Sequence, residues 1–151
     1  MSVLGSISLK LLTEKQVAQL LEEVFAPWIQ DLRIAITSIA EDGCTYSFPG
    51  DDRLTRGGGK GGGVVCGQAV SAVADTASVL TLSTLNGRFR ACTTVDLTAH
   101  FMRPLPEGEV EAQVTALSNG RRMAVTRTEF RATGSPKLAA TVTCAFAYLE
   151  D

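Results

Sequence analysis

The stretch GGGKGGGVVCGQAVSAVADTA, residues 57–77, decides how this chain folds. A glycine-saturated loop gives way to Val, Ala, Ser and Leu, the composition of a helix buried on nearly every side. The helix is expected over about Val64 to Ser83, on the order of 30 Å long at about 1.5 Å per residue. One acid, Asp75, interrupts its apolar surface. Removing an unpaired carboxylate from water costs several kcal/mol or shifts its pKa, so Asp75 must serve chemistry or a partner, or be a core acid bonded to Ser71, Thr76 or Ser78. The loop before it, residues 50–63, has too little apolar area to offset its ordering entropy unless a ligand or a neighbouring subunit orders it.

A helix of that kind has to be wrapped, and the second half of the chain supplies the wrapping. Four strands are expected, Phe89 to Phe101, Gly108 to Leu117, Met123 to Ala132 and Lys137 to Tyr148. They are separated by turn residues: Pro104, Pro106 and Gly108, then Ser118, Asn119 and Gly120, then Gly134, Ser135 and Pro136. In Thr94 to Phe101 the residues alternate, with Val95, Leu97, Ala99 and Phe101 on one face and Thr94, Asp96, Thr98 and His100 on the other. Before the long helix, Thr13 caps a helix running to Phe25 that Pro27 closes. A hairpin of Leu32 to Ala40 and Cys44 to Phe48 follows, turning at Glu41, Asp42 and Gly43 and ending at Pro49 and Gly50. The order predicts an α+β domain over residues 31–151, one long central helix clasped by a curved antiparallel sheet, with residues 1–30 as a helical segment packed on it.

The 151 residues, 45% hydrophobic, suffice for a single domain with a substantial core. A net charge of −2 offers no surface for duplex nucleic acid. Small groups of arginines, Arg88 with Arg90, Arg103, and Arg121 with Arg122, suit the phosphates of a small ligand, although such residues are more often solvated turn residues. Cys44, Cys66, Cys92 and Cys144 lack CxxC spacing, so no metal site, cofactor or disulfide framework is expected. Neither a signal peptide nor a membrane span is recognisable, which points to a soluble cytoplasmic protein.

Cys66, Gly67 and Gln68, four residues Ala69 to Ala72, and then Val73, Ala74, Asp75, Thr76 and Ala77 follow the spacing of a known motif. The pattern is roughly HGG, four residues, then LAD and a small residue. It resembles the hotdog-fold acyl-CoA thioesterases, in particular the phenylacetate-pathway type. Thr94 to Gly108 (TVDLTAHFMRPLPEG) and Asn119 to Val125 (NGRRMAV) resemble further motifs of that family in order, so the resemblance covers about residues 50–149. The chain departs from the pattern at Cys66, where the family has His, at Gln68, where it has Gly, and at Lys60, where it has Asn.

The resemblance implies hydrolysis of an acyl-CoA thioester, with Asp75 as nucleophile or general base, the Gly67 amide as oxyanion donor and Thr94 helping to position water. Cys66, Gln68 and Lys60 would line the substrate, and Arg103, Arg121 or Arg122 would meet the phosphates of coenzyme A. Gly67 and Asp75 lie eight residues apart, roughly 12 Å along one helix, so they can meet only between two antiparallel helices of a homodimer or of a dimer of dimers. Two other functions fit the same fold: a module that binds acyl-CoA or a related ligand without turnover, suggested by the departures at positions 60, 66 and 68, and a dehydratase or hydratase dependent on His100, the only histidine. Without a His partner nearby, Cys66 is read as packing or ligand lining. Gly57, Gly59 and Gly62 match a GxGxxG spacing only because glycine is so dense there, with no βαβ pattern around them.

Overall fold

The computed structural model describes residues 10–57 and 62–150. The first helix, α1 (Glu14–Val24), starts at a complete capping box: the Thr13 hydroxyl accepts from the Gln16 amide at 3.2 Å and the Gln16 side chain accepts from the Thr13 amide at 2.9 Å. Val17 buries its face, and the Leu12 amide donates to the Thr84 carbonyl, which ties the segment to the central helix. Pro27 does not close α1. The chain turns extended at Phe25, and Pro27 opens a second short helix, α2 (Pro27–Gln30), where a first-turn proline forfeits no hydrogen bond.

Six strands form one antiparallel sheet: β1 (Ala35–Ala40), β2 (Gly43–Gly50), β3 (Cys92–Phe101), β4 (Gly108–Asn119), β5 (Met123–Ala132) and β6 (Ala140–Tyr148). Their order across the sheet is β1-β2-β4-β5-β6-β3. The central helix, α3 (Gly67–Asn86), therefore leaves β2 near one edge and delivers the chain to β3 at the other, which lays it across the sheet. This is the α+β hotdog arrangement. Val70, Val73, Ala74, Ala77 and Leu80 of α3 are fully buried against Tyr46, Phe48, Val110, Val114, Phe130, Val142 and Phe146 of the strands. Phe48 and Phe130 meet edge to face with ring centroids 6.3 Å apart. Truncating such a buried phenylalanine to alanine costs about 3–5 kcal/mol.

Several boundaries differ from the sequence expectation, each for a local reason. The hairpin turn is Glu41 and Asp42 alone, because Gly43 already pairs with Ala40 and Thr115, and a Cβ there would strike the Val114 carbonyl oxygen. Pro49 and Gly50 do not end the hairpin; they stay in β2 opposite Glu109 and Gly108, beyond the reach of β1, where a missing N–H is tolerated. The central helix runs three residues later than expected at both ends. Val64 and Val65 are instead extended and bridge to Pro106 and Thr55. At the other end Gly87 closes the helix with φ +75°, a left-handed conformation that favours glycine, and the Arg88 amide returns to the Ser83 carbonyl. The strands expected from Phe89 and Lys137 begin at Cys92 and Ala140, and the one expected to stop at Leu117 reaches Asn119.

The largest correction concerns β3. A bulge between Thr94 and Asp96 inserts Val95 as an extra residue, so Thr94 pairs with Phe146 while Leu97 pairs with Cys144. Phe146 and Cys144 both point into the core. Thr94 thus shares the helix-facing side with Leu97, Ala99 and Phe101, rather than lying on the opposite face with Asp96, Thr98 and His100.

Candidate active site

The start of α3 carries no side-chain cap. Cys66 occupies the N-cap with φ −71° and ψ 150°, and its thiol bonds none of the first-turn amides. Gly67 is the first helical residue, so its N–H has no acceptor within the helix and points outward with the positive end of the helix dipole. The space that a Gly67 side chain would fill is taken by the Phe101 ring, whose tip lies 3.2 Å from an ideal Cβ position.

Gly67 opens onto a cleft of about 610 Å³ walled by Val65, Val70, Phe101, Leu105 and Ala140, with Arg56 and Arg103 also lining it. The flanks of the glycine loop build one side of this cleft. The Arg56 amide donates to the Val64 carbonyl, the Cys66 amide to Leu54, and the Val65 amide to Leu105. Cys66 is half-buried and Gln68 exposed. Lys60 lies outside the described residues.

Two turns further along α3, Asp75 is half-buried on the side facing β3, and the Thr94 hydroxyl donates to its Oδ1 at 2.6 Å. The bulge at Val95 is what turns Thr94 to that carboxylate. Ser71 and Thr76 make no recorded bond to it among the described residues, and Ser78 pairs instead with Thr126 at 2.7 Å. Two thiols lie close enough to feel the carboxylate. Burial, reinforced by the Asp75 charge, raises the Cys92 thiol and pushes Cys144 up to about 11, so both stay protonated at neutral pH.

Gly67 and Asp75 of one chain remain roughly 12 Å apart along the helix axis, as expected. The arginines are also divided. Arg103 lines the Gly67 cleft, whereas Arg121 and Arg122 line a second cleft of about 550 Å³ with Arg90, Tyr148 and Glu150. Ala140 and Tyr148, at opposite ends of β6, mark the separation, roughly 27 Å at an extended rise. One chain cannot bring all three to one phosphate cluster. His100 pairs with Thr141 on the outer face of the sheet, away from Asp75.

The C-terminal end of α3 is closed by hydrogen bonds. Asn86 donates to the Tyr148 hydroxyl at 3.0 Å, that hydroxyl donates to Asn119 at 2.6 Å, and Asn119 donates back to Asn86 at 2.9 Å. The Arg90 guanidinium stacks 3.5 Å above the Tyr148 ring centroid and pairs with Glu150. Phe101 and Arg56 line the Gly67 cleft although nothing in the sequence singled them out. The signal available for Phe101 was its place at the strand end just before the Pro104 and Pro106 turn, which returns the chain to the helix start.

Comparison with known proteins bears on what this arrangement does. Residues 51–146 match the family described as acyl-CoA thioesterase N-terminal domain. A comparison with curated protein sequences finds no match. Among solved structures, the chain is similar to a candidate thioesterase from a Silicibacter species, at 25% identity over 95% of this chain and 97% of that one, with a TM-score of 0.81. It shares the fold of a thioesterase from Haemophilus influenzae, at 24% identity over 95% of each chain and a TM-score of 0.80. The same holds for a phenylacetic acid degradation-related protein from Ralstonia eutropha, at 20% identity over 87% of this chain and 98% of that one, TM-score 0.72. The family match spans well over half of the chain and includes Gly67, Asp75 and Thr94. The chain therefore belongs to the acyl-CoA thioesterase family, and it is a thioester hydrolase.

Proposed function

We propose that the chain hydrolyses acyl-CoA thioesters at a site shared by two protomers, with the Gly67 amide of one and Asp75 of the other acting on the same carbonyl. The carrying observation is the Asp75–Thr94 pair: the acid of α3 is held at 2.6 Å by a hydroxyl on an exposed edge strand, two turns away from its own chain's free helix amides. β3 is ten residues long, lies at the sheet edge, and exposes Val95 (53%) and Phe101 (55%), with Met102 (50%) just beyond its end. Such an edge invites pairing with a second copy.

A twofold axis that sets Gly67 opposite Asp75 centres on α3 near Ser71. Within one chain, α3 meets β3 at Gly67 with Phe101 and at Asp75 with Thr94. The same axis therefore sets Phe101 opposite Thr94 in an antiparallel pairing of two β3 strands, so helix and strand call for one operation. Two equivalent sites result. Arg103 of one protomer then falls toward the end of the partner that carries the Arg121 and Arg122 turn, and the three together suit the phosphates of coenzyme A. A dimer of dimers is compatible with this pairing.

At the carbonyl, the Gly67 N–H donates to the oxygen as negative charge develops on it. The Asp75 carboxylate either attacks the carbonyl carbon, expelling coenzyme A thiolate and leaving an anhydride that water opens, or takes a proton from a water that attacks directly. Thr94, donating to Oδ1, fixes the carboxylate and leaves Oδ2 to act. Cys66 and Gln68 flank the oxyanion donor where the related motif has His and Gly, and they line the substrate. The phenylacetate-type motif in residues 66–77 supports aryl or medium-chain acyl groups.

Thiol release from a panel of acyl-CoAs tests the reading. Asp75→Asn is expected to lower kcat by about 10³-fold or more with the protein still folded. Equal turnover by the variant and wild type would remove Asp75 from the mechanism.

A further inference from the structure

We infer that Phe101 is a specificity-determining residue: its ring sets the size of acyl group that reaches the Gly67 amide. The inference rests on the shared acyl-transfer site proposed above and names the side chain that gauges its substrate.

The ring occupies an unusual position. Its Cζ lies 3.2 Å, and both Cε atoms 3.7 Å, from the point where a Gly67 Cβ would sit, so the tip of the ring rests on bare backbone at the oxyanion donor. The rest of the ring is open. Phe101 is 55% exposed despite facing the helix side of the sheet, and it forms one wall of the 610 Å³ cleft. Its cross-strand partner is Ala140, too small to pin the ring from the side. In the dimer proposed above the outer part of this exposed ring meets the partner strand, so the ring stands between the two protomers, and the part that walls the cleft beside Gly67 is the part a ligand meets.

The remaining walls tell what the ligand must be. Apart from Arg56 and Arg103, which suit an anionic group, the remaining walls are apolar, with Val65, Val70, Leu105 and Ala140 among them, and they match a hydrocarbon acyl chain. A carbonyl bonded to the Gly67 N–H places its first chain carbons against the tip of the ring. Chains that exceed the gap between Phe101 and the opposite wall must push the ring aside or stay outside.

The experiment measures kcat/KM for acetyl-, butyryl-, octanoyl- and palmitoyl-CoA with wild type, Phe101→Ala, Phe101→Leu and Phe101→Trp, and dissociation constants for the same esters by calorimetry. Phe101→Ala is expected to raise the ratio of long-chain to short-chain kcat/KM by about tenfold or more, Phe101→Leu by less, and Phe101→Trp to lower it. A ratio between substrates does not depend on the fraction of protein that is folded or dimeric, and Phe101→Leu keeps an apolar side chain on the edge strand if alanine disrupts it. Equal factors across all chain lengths would overturn the assignment. If wild type released no thiol from any ester, the hydrolytic site would fail while the gauge would still be decided by the affinity ratios: a shift with Phe101→Ala supports it, and unchanged ratios reject it.

Discussion

The two ends of α3 have opposite treatments. At its start, Cys66 leaves the first-turn amides without a side-chain acceptor, Gly67 has no side chain, and a cleft lies alongside. At its end, Gly87 returns the last carbonyls to the backbone, and Asn86, Tyr148 and Asn119 satisfy one another in a closed ring. α1, by contrast, has its start capped fully through Thr13 and Gln16, while the short α2 starts at Ala26 without a side-chain cap. In the proposed site the open end of α3 offers its amides to the substrate, while the closed end contributes stability. Ser78 with Thr126 and Tyr46 with Thr81, both buried, extend that closed region toward the middle of the helix.

Closing the open end has the larger expected effect of the changes at the two helix ends. Cys66→Asp installs the missing cap, so the fold is expected to gain about 1 kcal/mol, read from the denaturant midpoint. Its charge also stands beside the position proposed for the oxyanion, and kcat is expected to fall about 10²-fold. A stabilised variant with undiminished kcat would show that the free amides are not used. Opening the closed end is the converse. Asn86→Ala leaves the Asn119 amide without its acceptor and is expected to cost about 1–3 kcal/mol of stability, with kcat within about twofold of wild type. A large loss of turnover at unchanged stability would place the ring in the catalytic machinery.

The smallest effect concerns the thiol between the two regions. Burial and then the Asp75 charge hold Cys144 up to about 11, above its ordinary value of 9.0. From pH 9 upward the unfolded chain gives up this proton and the folded one does not, so stability declines as pH rises from 9 to 11. Cys44, Cys92 and Tyr46 are raised in the same direction and add to the decline. Cys144→Ala is expected to make the alkaline slope of the melting temperature shallower, and an unchanged slope would contradict the shift.

The architecture was legible because its signals are periodic or chemical. The apolar run after residue 63 marked α3, the turn residues divided β4, β5 and β6, and Thr13 with a following helical pattern marked α1. Asp75 stood out because a charge among small apolar residues is expensive. What escaped was set by tertiary fit. Alternation along β3 cannot reveal that Val95 is an extra residue, so Thr94 fell on the wrong face until Phe146 and Cys144 fixed its register. Pro27 and Pro49 read as terminators, yet each sits where no N–H is required. Arg103, Arg121 and Arg122 look alike in sequence, and only the strand register shows that they belong to opposite ends of the sheet.

The central claim is that each site draws on two chains, and mixing two inactive variants tests it directly. Gly67→Pro removes the donor N–H at a first-turn position whose backbone suits proline, after a residue with φ −71° and ψ 150°, and its Cβ requires the Phe101 ring tip, 3.2 Å away, to give by a few tenths of an ångström. Asp75→Asn removes the acid. Each protein alone is expected to be inactive. Unfolded together, refolded as an equal mixture and assayed for thiol release, they should recover roughly a quarter of wild-type activity, since half of the dimers are mixed and each of those holds one intact site. No recovery from a mixture shown to contain mixed dimers would mean that Gly67 and Asp75 do not act across the junction between subunits.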